Sequence, residues 1–293
     1  MIEQGADNGY RVADSGDFFV RFWGVRGSIA CCDSGLSRYG GNTSCLEVRC
    51  GERLVMFDAG TGFRYLGNSL MAQPLSLPSN LDADLFLTHT HFDHVCGLPF
   101  FKPAFLPTNR FRIFAGHLLP DATVRSVLQD MMMAPLFPVP LQIFQAEVTF
   151  HDFYAGETLT PREGVTVRTA PLNHPNGATG YRIEYGGRSI CYVTDTEHII
   201  EQPDENILEL IEGADIVIYD SMYTDIEFTG RAGWGHSTWT EGMRLCEQAG
   251  AKQFVIFHHH PERDDDLLDQ IGREAAELRP GTVVASEGMV LRP

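Results

Sequence analysis

The chain has 293 residues, 43% of them apolar, which is enough to bury a sizeable core. Its 22 Lys and Arg residues stand against 39 Asp and Glu residues, so the net charge is −17. A surface that follows a nucleic-acid backbone usually carries a basic excess, so this charge predicts that no long nucleic acid is a partner. No apolar run approaches the roughly 20 residues of a membrane span, and the N-terminus lacks the apolar core of a signal peptide. Seven cysteines without CxxC spacing favour reduced thiols, and together these features predict a cytoplasmic protein without a membrane partner.

The first elements along the chain predict a strand, a glycine-rich loop and a hairpin. Residues 18–23 are an apolar strand, and residues 43–50 and 53–57 are predicted to pair around a glycine turn. The second strand of this hairpin leads into Asp58 and the sequence Asp-Ala-Gly-Thr-Gly-Phe. Asp58 is either a functional carboxylate or an ordinary turn residue.

A cluster of metal-binding residue types follows the next predicted strand, at residues 84–88. Four of them lie within six positions in the pattern His-x-His-x-Asp-His: His89, His91, Asp93 and His94. The two histidines that are two positions apart on extended backbone point to the same side, and the other two residues follow where the chain turns. Imidazoles together with a carboxylate suit zinc or a similar divalent ion. The pattern therefore predicts a metal site rather than a functionless histidine-rich turn.

Residues 101–150 are expected to be the least regular part of the fold, because prolines interrupt their apolar residues. Such a sequence can neither run as one helix nor lie in a central strand. It contains three consecutive methionines, at 131–133, whose flexible side chains adapt to partners. The segment is therefore a packed loop that closes the core, a lid over the active site, or a self-association surface that would make a homodimer.

The second half of the chain again has strands that end in ligand-type residues. A strand at 165–170 precedes His174, a hairpin with a Gly-Gly turn ends at Asp195, and a strand at 252–257 ends at His258. The helix that precedes the last of these strands begins at Ser237 or Thr238, either of which can cap it. The other predicted elements are helices at 202–212, 237–249 and 264–278 and strands at 214–219, 282–285 and 289–291.

The His-x-His-x-Asp-His pattern resembles the metallo-β-lactamase superfamily. Because its second position is His91 rather than glutamate, the chain is similar to the zinc-type hydrolases of that superfamily and not to its flavodiiron branch. The resemblance implies an α/β fold, a four-layered αβ/βα sandwich with two mixed sheets and outer helices. It covers residues 18–293, which are expected to form one domain behind a flexible N-terminus at 1–17. It also implies a dinuclear metal site at the edges of the sheets.

Further matches resemble the ribonuclease Z-like branch, whose members hydrolyse phosphodiesters. They are Gly97-Leu98-Pro99 after the metal motif, Gly180-Tyr181-Arg182 after His174, and Gly235-His236-Ser237-Thr238 before a helix. The pattern of this branch implies two ligand sets joined by a bridging Asp195: His89, His91 and His174 for one ion, and Asp93, His94 and His258 for the other. His258 is preferred to His259 and His260 because it stands directly at the strand end. Asp58 is expected to hydrogen-bond a ligand histidine.

The implied ligand set predicts two divalent metal ions, zinc first, with manganese or iron as alternatives. Two such ions suit in-line displacement at phosphorus by a bridging hydroxide. The catalytic residues implied by the resemblance are Asp93 and Asp195 in the metal centre and His236, placed to protonate the leaving alkoxide. A structural role at the start of the following helix is the alternative for His236.

The substrate is expected to be a small anion. The tRNA-binding arm of ribonuclease Z lies between the counterparts of His174 and Asp195, where this chain has room only for a tight hairpin. Together with the acidic net charge, this predicts a small phosphodiester, cyclic ones included, rather than tRNA. Hydrolysis of a lactone or of another ester or amide is one alternative, because a metal hydroxide also attacks carbonyl groups. A catalytically silent metal-binding or regulatory protein is the alternative from a different class.

Overall fold

The structure is a computed structural model that describes residues 17–72 and 80–293, so the predicted flexible N-terminus lies almost entirely outside it. Within these ranges the chain forms two β-sheets, each flanked by helices. The strands, in chain order, are β1 (Phe18–Gly24), β2 (Cys45–Cys50), β3 (Arg53–Phe57), β4 (Asp82–Leu87), β5 (Arg110–Ala115), β6 (Glu147–Asp152), β7 (Thr158–Arg162), β8 (Val165–Leu172), β9 (Ala178–Tyr185), β10 (Arg188–Val193), β11 (Ile216–Asp220), β12 (Gln253–Phe257), β13 (Val283–Val284) and β14 (Val290–Leu291).

Each sheet combines an antiparallel half with a parallel half. The strand orders are β14-β1-β2-β3-β4-β5-β6 and β13-β12-β11-β10-β9-β8-β7. Strands β3 to β6 run parallel in the first sheet, and β10 to β13 run parallel in the second. Both predicted hairpins are present, as β2–β3 and β9–β10. The two halves of the chain therefore repeat one topology.

The helices cover the outer faces of the two sheets. In the described ranges they are α1 (Gly62–Met71), α2 (Phe92–Val95), α3 (Val124–Met131), α4 (Glu205–Ile211), α5 (Asp225–Phe228), α6 (Trp239–Gln248) and α7 (Asp265–Leu278), with short 3-10 helices at Ser34–Leu36, Leu98–Phe100, Lys102–Phe105 and Leu141–Ile143. Helices α1 and α3 pack on the first sheet, and α4, α6 and α7 pack on the second.

Alternation of side chains along the strands builds the layers of the fold. Phe57 of β3 and Ile218 of β11 lie in the core between the sheets. Their neighbours Met56 and Val217 point the other way, each into the core under the helices of its own sheet. The predicted four-layered αβ/βα sandwich with two mixed sheets is confirmed.

The sequence offered two residues as the cap of helix α6, Ser237 and Thr238, and the structure selects the second. Thr238 is the cap, and its hydroxyl accepts a hydrogen bond from the Glu241 N–H at 3.2 Å. The Ser237 hydroxyl instead lies 2.7 Å from His198 Nδ1 and 3.0 Å from the Tyr219 hydroxyl. The start of the helix is thus fixed without the neighbouring His236.

Residues 101–150 are more regular than predicted. β5 lies inside the first sheet between β4 and β6, and α3 packs nearby. β5 was missed because prolines on both sides obscured its alternation of arginine with apolar residues, which is the pattern of a strand with two different faces. Phe111 and Ile113 are buried under the helices, whereas Arg112 pairs with Asp82 on the next strand at 2.8 Å. The proline-rich stretches on either side form short 3-10 helices and turns, and neither is one long helix or a central strand.

Two further observations concern the whole described chain. Its helices include none that is both long and apolar enough to cross a bilayer. All seven cysteines are described, and all are free thiols, as their spacing predicts.

Candidate metal centre

The ends of strands from both sheets meet at one edge of the sandwich. The Tyr181 hydroxyl donates to the Leu87 carbonyl at 2.6 Å, and the Thr179 N–H donates to the Thr88 carbonyl at 2.8 Å, so β4 and β9 are joined there. Because parallel strands end on the same side of a sheet, residues after β10 and β12 reach this edge together. The structure brings the seven sequence-predicted ligands together here: His89, His91, Asp93, His94, His174, Asp195 and His258.

The first group of ligand atoms comes from His89, His91, His174 and Asp195. His174 Nε2 lies 3.1 Å from His91 Nδ1. Asp195 Oδ2 lies 3.6 Å from Nε2 of both His89 and His174. Ligand atoms about 2.0–2.1 Å from a tetrahedral zinc ion are roughly 3.3 Å apart, so these separations suit a single shared ion.

The second group contains Asp93, His94, His258 and the other oxygen of Asp195. His94 Nε2 is 3.2 Å from Asp93 Oδ2 and 3.3 Å from Asp195 Oδ1. His258 Nε2 is 3.1 Å from Asp195 Oδ1 and 3.6 Å from Asp93 Oδ2. Asp195 therefore turns one carboxylate oxygen to each group, which is the arrangement of a bridging ligand.

Unpaired buried nitrogens support the fit of divalent ions to this donor set. His89, His94 and His258 are at most 1% exposed, yet Nε2 of each makes no hydrogen bond. A buried polar atom left unpaired costs about 1–3 kcal/mol. Three such atoms around two carboxylates are explained if they donate their lone pairs to cations. Imidazole nitrogen and carboxylate oxygen are donors typical of zinc sites.

Other protein groups hold the ligand rings from behind. Asp58 is fully buried, and its Oδ2 lies 2.9 Å from both His94 Nδ1 and the Tyr192 hydroxyl. His174 Nδ1 lies 2.7 Å from the Gly235 carbonyl, and a Cβ on this glycine would collide with the His174 ring. Such partners fix the orientation and tautomer of a metal-binding imidazole. Asp58 thus contacts a histidine of the second candidate ligand group.

Backbone strain is concentrated at this edge. Asp58, Asp195 and His258 adopt left-handed φ values of 57°, 59° and 61° at or just after the ends of β3, β10 and β12. This conformation costs a residue with a side chain on the order of 1–3 kcal/mol, and it persists where the surrounding structure enforces it. The sharp turn brings each side chain to the edge where the two ligand groups meet.

Asp220 is a residue of the candidate site that the sequence reasoning missed. It is fully buried at the end of β11, and its Oδ2 lies 2.9 Å from His236 Nδ1. Its Oδ1 lies 3.9 Å from His258 Nδ1. The sequence did offer a signal for Asp220. A strand was predicted here, and an acidic residue stands at its end, as Asp58 follows β3 and Asp195 follows β10.

His236 stands between the two ligand groups. Its ring centroid is 5.5 Å from that of His174 and 5.1 Å from that of His258, one residue from each group. The Asp220 carboxylate occupies Nδ1, so Nε2 is the nitrogen available to a substrate. Burial lowers the pKa of His236, but the carboxylates of Asp220 and Asp195 outweigh it and raise the pKa to about 9. The two carboxylates therefore favour the protonated form of the ring.

The pKa shifts in the centre favour an ionised Asp195 and a neutral His89, whereas burial lowers the pKa of His94 but the carboxylates of Asp93 and Asp195 outweigh it and hold that pKa well above its ordinary value. Burial raises the pKa of Asp195, but the neighbouring His258 and His94 outweigh it and hold that pKa well below its usual value. Burial and the adjacent His94 lower the pKa of His89 well below its ordinary value. An ionised carboxylate and a neutral imidazole are the forms in which these groups bind metals.

The remaining histidines near the site have other roles. His259 Nε2 lies 2.8 Å from the Ala285 carbonyl, and burial together with Arg26 lowers its pKa to about 3. His260 contacts the Tyr223 ring at a centroid distance of 6.0 Å. His198 stacks on Phe228 at a ring-centroid distance of 4.0 Å, and its Nδ1 lies 2.7 Å from the hydroxyl of Ser237, the residue after His236. Of the three consecutive histidines, His258 is the one that joins the candidate ligand groups.

Replacing Asp58 with asparagine is expected to weaken metal binding. The amide keeps the shape of the side chain but can no longer accept from every donor that the carboxylate pairs with, including His94 Nδ1. Loss of such a partner lowers metal affinity by about 10–100-fold. Competition with a chromophoric chelator measures the affinity, and Asp215→Asn is the matched control, since Asp215 is a hydrogen-bonded, buried carboxylate that precedes β11 at its opposite end. Equal losses in both variants would contradict a specific role for Asp58.

Comparison with known proteins assigns the chain to a family. A protein-family model described as "Beta-lactamase superfamily domain" matches residues 53–259, well over half of the chain. The chain belongs to the β-lactamase superfamily. Ribonuclease Z of Haloarcula marismortui is 24% identical to it over 331 aligned positions, covering 93% of this chain and 96% of that protein.

Solved structures share the fold of the superfamily member described here. A diphosphatase from the PhnP family has a TM-score of 0.70 at 21% identity, covering 94% of this chain and 98% of its own. The short form of human tRNase Z has a TM-score of 0.66 at 19% identity, with 93% and 98% covered. The predicted superfamily is confirmed, and so is the general prediction of a metallo-β-lactamase-fold hydrolase.

The prediction that no long nucleic acid is a partner is wrong. A relative that aligns over 93% of the chain is named Ribonuclease Z, and one structural neighbour is a tRNase Z. The prediction relied on the tight hairpin between His174 and Asp195 and on a net charge of −17, which is an average over the whole chain. Bound divalent ions are often the largest local charges in a site, so the sign of the field at the metal centre need not follow the net charge.

Proposed function

We propose that this superfamily member is a metal-dependent phosphodiesterase with two divalent ions, zinc first, held by the seven clustered ligands. The observation that carries the proposal is the position of Asp195, whose two oxygens face two groups of ligand atoms. His236 lies beside both groups and is held by Asp220 at 2.9 Å. A protein that only binds metal ions would have no need of the Asp220–His236 pair, which lies outside the proposed ligand set.

When bound, two divalent ions supply a hydroxide nucleophile at neutral pH and neutralise charge on the phosphoryl oxygens. The side chains provide the fixed geometry for this chemistry. Asp93 and Asp195 are the anionic ligands, and the Ser28 N–H holds Asp93 Oδ2 at 2.8 Å. Asp58 orients the ring of His94. Because these groups are buried and mutually hydrogen-bonded, little reorganisation is needed when substrate arrives.

His236 is the proposed general acid. An alkoxide that leaves phosphorus needs a proton, and the protonated ring can give it from Nε2. Asp220 keeps the ring oriented by accepting from Nδ1. The name Ribonuclease Z of a relative that aligns over 93% of the chain favours the phosphodiester class over the carbonyl alternatives.

Two kinds of phosphodiester remain as candidate substrates. A small diester, cyclic ones included, fits the tight β9–β10 hairpin between His174 and Asp195. RNA is the second candidate, and it is favoured by the name Ribonuclease Z of a relative that aligns over 93% of the chain. Both would use the same metal centre and the same proton donor.

A substrate panel tests the proposed activity. Protein loaded with zinc or manganese is offered bis(p-nitrophenyl) phosphate, a 2′,3′-cyclic nucleotide, a precursor tRNA and a simple lactone. We expect turnover of phosphodiesters, its loss on chelation, and its return when metal is restored. Turnover of the lactone without any diester would refute the proposal, and the faster of the small diester and the RNA identifies the substrate class.

A further inference from the structure

A cavity of about 810 Å³ lies beside the candidate metal centre, and none of the candidate metal ligands lines it. Small-ligand sites in proteins commonly measure about 300–1,000 Å³, so its size suits a nucleotide-like molecule. The side chains that matter for its chemistry are Arg64 and Tyr65 of α1, Phe92 of α2, and Phe100.

The cavity shares two segments of chain with the metal centre. Phe92 stands between His91 and Asp93 and opens the helix that carries Asp93 and His94. Ala30, on another wall, is two residues from Ser28, whose N–H holds Asp93 Oδ2 at 2.8 Å. The cavity and the candidate metal centre are therefore built on adjoining residues of the same two segments.

Three aromatic rings around the cavity are exposed. Phe92 is 73% exposed, Phe100 is 52% and Tyr65 is 45%. Grouped apolar side chains of this size on a protein surface mark binding sites more often than single ones do. Flat rings offer stacking faces to planar ligands, and every nucleobase has such a face.

The charge of the lining is opposite to that of the chain. None of its residues is Asp or Glu, although the chain has 39 of them, and one is Arg64. The Arg64 guanidinium lies 5.3 Å from the centre of the Tyr65 ring, and it forms no salt bridge with the described residues. A cation beside an aromatic face suits a ligand that is both planar and anionic.

We propose that this cavity is a nucleobase subsite, which receives the base next to the scissile phosphodiester. Tyr65 and Phe92 provide stacking faces, and Arg64 binds the phosphate that flanks the base. The proposal rests on the phosphodiesterase function and makes it more specific: nucleotide diesters, in RNA or as small molecules, are preferred to diesters without a base.

Binding to the metal-loaded protein tests the subsite without turnover. Isothermal titration compares uridine 5′-monophosphate with ribose 5-phosphate, which carries a hydroxyl group in place of the base. Tyr65→Ala should weaken binding of the nucleotide about 10-fold, within the range for loss of one base–aromatic stack, and leave the sugar phosphate unchanged. Tyr65→Phe keeps the ring and should bind as the wild type does. Arg64→Ala should weaken the binding of both ligands.

Kinetics on matched diesters complete the test. The methyl esters of the same two ligands share the leaving group methoxide, and ³¹P NMR follows their hydrolysis. Tyr65→Ala should lower kcat/KM about 10-fold for the uridine diester only. Ile226→Ala is the control, because Ile226 is 87% exposed on α5 and lines no part of the cavity.

The outcomes separate the subsite from the proposed function. Base-dependent binding that Tyr65→Ala removes, without turnover of any diester, would support the subsite and refute the phosphodiesterase. If both diesters are turned over and Tyr65→Ala lowers kcat/KM equally for each, the subsite is refuted and the phosphodiesterase stands. The same conclusion follows if Ile226→Ala lowers kcat/KM for the uridine diester as much as Tyr65→Ala does. Wild-type protein that binds the two ligands equally well would also refute the subsite.

Discussion

Asp195→Asn is expected to cost the protein one of its two metal ions and to reduce diester hydrolysis by more than the roughly 10–100-fold typical of an outer hydrogen-bond partner. The carboxylate places Oδ2 3.6 Å from His89 Nε2 and Oδ1 3.3 Å from His94 Nε2. An amide has one oxygen, so it can serve only one of the two groups, and its NH₂ would face the other. Elemental analysis of the purified variant gives the metal content, and kcat/KM on bis(p-nitrophenyl) phosphate gives the activity.

Asp215→Asn is the matched control for this change, since Asp215 is also buried and hydrogen-bonded but lies at the opposite end of β11. It should keep both ions and wild-type activity. An Asp195→Asn variant that retains both ions at wild-type affinity would show that this carboxylate does not bridge.

His236→Ala is expected to lower turnover of a diester with an alkyl leaving group by about 10²–10⁴-fold, the usual range for loss of a general acid. The loss should be smaller for a p-nitrophenyl diester, because p-nitrophenolate departs without a proton. Metal content should not change, since His236 is proposed as a proton donor and not as a ligand. Steady-state kinetics on the two diesters and elemental analysis provide the measurements.

His151→Ala is a suitable control for His236→Ala, because His151 is an exposed histidine on β6 outside the candidate ligand groups. Equal losses on both diesters would remove the general-acid role of His236. A loss of metal would instead make His236 a ligand and overturn the assignment of His258.

Much of the candidate site could be predicted because its residues follow strands. A strand ends at a definite place in the sheet, so ligand-type residues just after strands are brought to one edge wherever the strands run parallel. The strand-end pattern singled out His89 after β4, and the resemblance to the metallo-β-lactamase superfamily added His174 after β8, Asp195 after β10 and His258 after β12. The structure gathers all four at one edge.

Asp220 and β5 escaped prediction for different physical reasons. Asp220 also follows this pattern, but its role depends on the 2.9 Å contact with His236, sixteen residues later, which only the folded chain creates. β5 presents charged residues on one face, and these are satisfied by ion pairs with neighbouring strands such as Arg112 with Asp82. Sequence alternation there was obscured by the prolines on both sides.

The substrate could be predicted least well, because net charge describes no particular surface. The cavity beside α1 has an uncharged lining apart from one arginine, in a chain whose net charge is −17. Which residues surround it depends on the packing of α1 against the turn that follows β4. No periodicity in the sequence reports that contact.

Metal stoichiometry tests the central claim of a two-ion centre most directly. Elemental analysis of protein dialysed against metal-free buffer after zinc loading should give two ions per chain. His174→Ala and His258→Ala should each give one, because these residues belong to different ligand groups. One ion per chain in the wild type, or a metal content that is unaffected by changes at both His89 and Asp195, would contradict the two-ion centre.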